Sequence, residues 1–180
     1  MIAITGATGQ LGHLVIEQLL KTVPASQIVA IVRNPAKAQA LSQQGIVVRQ
    51  ADYTDEAAFT AALSGVDKLL LISSSEVGQR ATQHQNVINA AKTAGVKFIA
   101  YTSLLHADNS PLGLHVEHVA TEKALAASGI PYACCATAGI PKTIWRARRL
   151  RWNTACLLVR QAKAKLPLPP VQTMPRQQRM

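Results

Sequence analysis

Apolar positions along the 180-residue chain switch between two periods, and the switches mark out alternating strands and helices. Ile2-Ala3-Ile4 is a short apolar run that leads into Thr5-Gly6-Ala7-Thr8-Gly9-Gln10-Leu11-Gly12, after which Leu11, Leu14, Val15, Leu19 and Leu20 recur at helical spacing. Positions 28–32 are apolar without interruption, which predicts a strand covered by helices on both faces. An Ala-rich helix is expected over 35–41, a strand over 46–48, a helix over 55–63, a strand over 68–72, a helix over 79–93 and a strand over 96–101. An irregular stretch with Asn109-Ser110-Pro111 precedes a helix over 116–127 and a strand beginning at 130–132. This alternation predicts the α/β class, a doubly wound parallel sheet of the Rossmann type, with ligands at the carboxyl ends of the strands where the winding reverses.

The turn after the first strand is the most specific feature at such an end. A dinucleotide pyrophosphate needs close backbone approach and a helix N-terminus that aims amide groups at it. Gly6, Gly9 and Gly12 fall where those demands fall, between a strand and an amphipathic helix, so Gly6, Ala7, Thr8, Gly9, Gln10 and Leu11 are expected to line a cofactor site. The spacing is G-x-x-G-x-x-G, not the G-x-G-x-x-G of typical dehydrogenases. NAD binders place an acid after the second strand to hold the ribose 2′-hydroxyl. Arg33 stands there instead, followed by Asn34, Pro35 and Lys37, which favours a 2′-phosphate and hence NADPH over NADH. Asp52-Tyr53 closes the third strand, where an adenine amino group would lie, and Ser73-Ser74-Ser75 closes the fourth, beside the nicotinamide ribose.

Charge divides the chain in two. The formal net charge is +10, yet every acidic residue lies at or before Glu122, and residues 1–133 hold nine basic and nine acidic residues. Residues 134–180 carry all of the excess, together with Cys134, Cys135, Cys156 and both tryptophans. The expected organisation is a nucleotide-binding domain over 1–133 and a basic, poorly ordered tail over 134–180. With no secretory signal or membrane span to be read, a cytoplasmic protein is expected, and three cysteines there do not make a disulfide framework.

Several kinds of chemistry find no residues. Carbonyl-reducing short-chain dehydrogenases pair a Tyr with a Lys four residues later, and none of Tyr53, Tyr101 or Tyr132 has that partner. His115, His118 and Glu122 could share a helix face and imitate a metal site, but a face with two His and no further ligand nearby is usually just polar, so no metal is expected. Trp145 and Trp152 among Arg146, Arg148, Arg149 and Arg151, with Arg160, Lys163 and Lys165 beyond, allow salt-sensitive contact with nucleic acid without any recognisable motif.

The glycine turn, Arg33-Asn34-Pro35, Ala51-Asp52-Tyr53 and the segment Val96-Lys97-Phe98-Ile99-Ala100-Tyr101-Thr102-Ser103 together resemble the NmrA-like atypical short-chain dehydrogenases, from residue 1 to about 132. The resemblance implies NADPH held by residues 6–11, Arg33 and 73–75, and hydride transfer to a quinone. A quinone's product oxygens can take protons from solvent, which accords with the missing Tyr and Lys. The family also contains redox sensors that bind the cofactor without turning it over, the alternative function.

Where the family continues with a pocket-closing segment of the type LRxGWYxEN, this chain reads Cys134-Cys135-Ala136-Thr137-Ala138-Gly139-Ile140-Pro141-Lys142-Thr143-Ile144-Trp145. Back-translated with permitted codons and read one base out of frame, that segment gives LRNGWYSENYL, and residues 155–180 also yield family-like sequence. A frame-shifted translation from about residue 134 is therefore expected, with quinone turnover impaired in this chain.

Overall fold

The computed structural model describes residues 1–104 and 113–137. Strands Ile2–Ile4 (β1), Ile28–Val32 (β2), Val47–Gln50 (β3), Lys68–Leu71 (β4), Phe98–Leu104 (β5) and Tyr132–Thr137 (β6) form one parallel sheet in the order β3-β2-β1-β4-β5-β6. Helices Gln10–Leu19 (α1), Gln39–Gln43 (α2), Glu56–Ala62 (α3), Arg80–Thr93 (α4) and His115–Ser128 (α5) lie between them. The winding reverses between β1 and β4, as the alternation predicts for a Rossmann sheet.

All five residues of β2 are buried, and successive ones face opposite cores. Val29 and Ile31 join Phe59 of α3, Val87 and Ile88 of α4 and Leu125 of α5. Ile28, Ala30 and Val32 join Ile16 of α1 and Leu41 of α2. A strand packed on both sides has no polar face to alternate, which is why its sequence is continuously apolar.

Two strand starts differ from the sequence reading for the same reason. Ile46 and Val96 are not the first residues of β3 and β5. Gly45 and Gly95 follow α2 and α4 with φ of 82° and 75°. Ile46 N–H donates to Leu41 O at 3.2 Å and Val96 N–H to Ala91 O at 3.0 Å, closing the helix ends as Schellman motifs. Each residue is buried as the apolar anchor after a helix cap. The helix expected over 35–41 begins as a 3₁₀ turn, Pro35–Ala38, whose Ala36 N–H donates to the Asn34 side chain at 3.0 Å.

Strand β6 runs to Thr137, four residues past the compositional boundary at 133, and keeps one register from Ile99↔Tyr132 to Leu104↔Thr137. Edge pairing uses main-chain groups that every non-proline residue offers, so a change of sequence character need not end the strand. Asn109-Ser110-Pro111, Cys156, the Arg- and Trp-rich stretch 145–152 and the remainder of 138–180 lie outside the described residues. Among the described residues, no helix is long and apolar enough to cross a membrane.

Candidate cofactor site

The glycine turn leaves β1 and enters α1 at the reversal point. Gly6 has φ of 58°, in the left-handed region that side chains disfavour. Gly9 N–H donates to Gly6 O at 2.9 Å, and Gly9 caps α1 without any side chain accepting from the first-turn amides. A Cβ on Gly12 would lie 2.4 Å from Gly6 O and 2.7 Å from Ala7 Cα, so only glycine lets the helix sit this close to the turn. Thr8, Gly9 and Gln10 are exposed, whereas Ala7 is fully buried and shapes the turn from within. The result is an open helix N-terminus with close backbone approach, which fits a phosphate-bearing ligand.

Arg33 stands at the end of β2 with its side chain 62% exposed. Its Nη1 donates to Glu76 Oε1 at 2.9 Å, and its Nε lies 4.0 Å from Asp52 Oδ2. Asp52 Oδ1 accepts from the Thr54 amide at 3.0 Å and hydroxyl at 2.8 Å. Those bonds, the amide first, hold its carboxyl below the usual range. Tyr53 turns inward and donates to Ile72 O at 2.9 Å, and burial pushes its phenol up to about 12.

The loop after β4 is fixed bond by bond. Ile72 N–H donates to Thr5 Oγ1 at 2.9 Å, tying β4 to β1 at the reversal, and Ser73 N–H donates to Thr102 Oγ1 of β5 at 2.8 Å. Ser74 N–H donates to His84 Nε2 at 2.9 Å, and Ser74 O accepts from Arg80 Nε at 2.6 Å. Glu117 of α5 accepts from Gly78 N–H, Arg80 N–H and Arg80 Nη1 at 2.9, 3.1 and 3.0 Å. Ser74 is buried and its Oγ accepts from Glu76 N–H, so it shapes the loop, while Ser75 is exposed and Ser73 partly so.

His84 is fully buried. Because its Nε2 accepts from Ser74, Nδ1 carries the proton and donates to Thr121 Oγ1 at 3.0 Å; Thr121 in turn donates to Glu117 O at 2.8 Å. Burial, then the Arg80 charge, lowers His84 to about 3, and the same two causes lower His118 to about 4. His118 Nδ1 and the Tyr101 hydroxyl share a 2.6 Å hydrogen bond, and Glu122 accepts from Ser103 Oγ. His118 and Glu122, two of the three residues on that helix face, thus engage hydroxyls of β5. Burial raises Tyr101 and lifts Cys134 to about 12, away from thiolate chemistry at neutral pH.

Thr5, Arg80, His84, Glu117 and Thr121 were not legible as parts of this site. Arg80 and His84 lie on the helix that directly follows the 73–75 loop, and Glu117 and Thr121 on a helix distant in sequence; at all four positions a buried or half-buried polar residue looks like an exposed one. A signal was present in α4, whose segment Arg80-Ala81-Thr82-Gln83-His84 is too polar for a helix that packs on the sheet with α3 and α5 on either side.

Comparisons agree with this geometry. The NAD(P)H-binding family profile matches residues 6–148, fifteen residues beyond the boundary at 133. Quinone oxidoreductase 2 of Escherichia coli (strain K12) is 83% identical over 132 residues, 73% of this chain and 46% of the relative. The crystal structure of the E. coli NADPH-dependent quinone oxidoreductase QOR2 complexed with NADPH superposes with a TM-score of 0.75 at 80% identity, over 76% of this chain and 48% of that one. Triphenylmethane reductase of Citrobacter sp., complexed with NADP(H), gives 0.74 at 50% identity over 76% and 49%. The chain spans about half the length of the curated relatives it matches. With its glycine turn, its sheet order and the family match in agreement, this chain belongs to the NAD(P)H-binding, NmrA-like family.

Proposed function

We propose that the described residues form the cofactor-binding part of an NADPH-dependent quinone oxidoreductase. The observation that carries this is the convergence of the glycine turn, Arg33 and the pinned 73–75 loop at one reversal point, in a chain 83% identical to quinone oxidoreductase 2 where they align. In this reading the first-turn amides of α1 take the pyrophosphate, Arg33 takes the 2′-phosphate, Asp52 accepts from the adenine amino group, and Ser73 and Ser75 approach the nicotinamide ribose. NADPH supplies a hydride. The protein's part is to orient it through a loop that cannot shift without breaking the Arg80 and His84 bonds.

Among the described residues the phenols of Tyr53 and Tyr101 are committed to Ile72 and His118, and their raised pKa values make them poor proton donors. A quinone acceptor suits such a site because its oxygens can be protonated by water. The same observation supports the second reading, a cofactor-binding sensor without turnover.

The sequence from about residue 134 does not spell the LRxGWYxEN segment in its own frame, which supports a frame shift there and impaired turnover. Following NADPH oxidation with a simple quinone tests this, with the chain beside a version restored to LRNGWYSENYL. Turnover only in the restored chain is the expected result. Equal turnover in both removes the claim about the tail, and NADPH binding without turnover in the restored chain selects the sensor.

A further inference from the structure

Arg33 is not a free cation awaiting a phosphate. The sheet order places β1 between β2 and β4, so the Arg33–Glu76 ion pair crosses the carboxyl end of β1, where the glycine turn begins. Glu76 is held from its other side as well: Gln83 Nε2 donates to Glu76 Oε2 at 2.6 Å. Gln83 is 3% exposed, and its Oε1 is already a buried acceptor without a partner. Moving Glu76 away would strip the amide of its remaining bond, a cost that keeps the carboxylate in place. Arg33, exposed and on a long side chain, is the partner free to swing, although Gln50 Nε2 holds its carbonyl at 3.1 Å.

We infer that Glu76 is a specificity-determining residue: a carboxylate delivered from the β4 loop that competes with the cofactor's 2′-phosphate for Arg33 and serves as acceptor for a 2′-hydroxyl. The acid that NAD binders carry at the end of the second strand is thus supplied across the sheet. A 2′-phosphate reaching Arg33 meets a fixed negative charge and must break the existing pair, whereas a ribose 2′-hydroxyl can donate to Glu76 with the pair intact. The preference for the phosphate is set by the difference between Arg33 and Glu76, not by Arg33 alone. This deepens the assignment of Arg33 to the 2′-phosphate and rests on it.

Adenosine 2′,5′-bisphosphate and AMP differ at the group in question and need no catalysis. Calorimetric titration of the full 180-residue chain with each gives a preference ratio. Glu76→Gln keeps the bond to Gln83 possible and removes the charge, and it should raise the preference for the bisphosphate about three- to tenfold, the scale of one exposed ion pair and one like-charge repulsion. Glu76→Ala should move the ratio in the same direction. An unchanged or lowered ratio in both variants, with Arg33→Ala collapsing the preference, overturns the inference and leaves the Arg33 reading standing. An unchanged ratio in Arg33→Ala overturns both, as does a wild-type chain that binds neither probe.

Discussion

Strand β2 and strand β6 belong to one sheet and live under different conditions. Every residue of β2 is buried between two layers of helices, and both cores draw on it. Tyr132, Ala133, Cys134 and Cys135 of β6 are all only partly buried, and Phe98 and Ala100 on the neighbouring β5 share that state. Tyr132 and Cys134 pack against the core under α3, α4 and α5, but among the described residues the opposite core takes no residue from β5 or β6. Strand β2 is thus closed on one face by α1 and α2 and on the other by α3, α4 and α5. Among the described residues β5 and β6 contribute to one core only. Cofactor binding is assigned to the ends of the central strands on either side of the reversal, away from β6.

Truncating a side chain in each region should break or sharpen this contrast. Phe59→Ala, in the core shared by β2 and α3, should cost about 3–5 kcal/mol in urea unfolding. Cys134→Ala, in β6, should cost less than about 1 kcal/mol. Similar losses at the two sites would show that β6 is as integral as β2. Gly12→Ala should cost about 2–3 kcal/mol, because the new methyl meets main-chain atoms of the turn that cannot step aside. It should also abolish NADPH binding measured by fluorescence, and tight binding by this variant would contradict the close-approach role.

Acid should act on the seam between α4 and α5. His84 has a folded pKa depressed from 6.5 to about 3 and His118 from 6.5 to about 4, so between those values the unfolded chain binds more protons than the folded one. Their contribution to stability is complete above about pH 6.5 and declines as pH falls toward 4. Protonated His84 could not accept from Ser74 N–H, so in the folded protein order in the 73–75 loop should persist until the pH falls toward about 3. His84→Gln should flatten the decline, measured as the unfolding midpoint against pH, and an unaltered curve would place the titration elsewhere. The smallest effect belongs to the exposed end of the site. Arg33→Ala should leave the unfolding free energy within about 0.5 kcal/mol of the parent and reduce the NADPH-over-NADH binding ratio. An unreduced ratio would remove Arg33 from cofactor choice.

Periodicity and punctuation made much of this legible. The apolar run of β2 was visible as a strand with two covered faces, and the three glycines were visible as a turn because they sit between a strand and an amphipathic helix. Ile46 and Val96 were misread because an apolar residue after glycine serves a helix cap as well as a strand start, and only the left-handed glycine with its returning hydrogen bond separates the two. The charge imbalance located a boundary near 133, but β6 crosses it because strand pairing runs through the main chain.

What the sequence by itself determined was local: strand and helix alternation, the turn that only glycine can make, and a cation where an acid is usual. Those properties depend on a residue and its near neighbours. The tertiary structure decided which polar groups meet. It alone set Glu76 against Arg33 across β1, aimed Arg80 and His84 at the 73–75 loop, and turned Ser74 inward while leaving Ser75 exposed. The Arg33–Glu76 contact joins residues brought together by chain winding, and the others turn on which way a loop and the helix after it face; a buried hydrogen bond leaves no period in the sequence in either case.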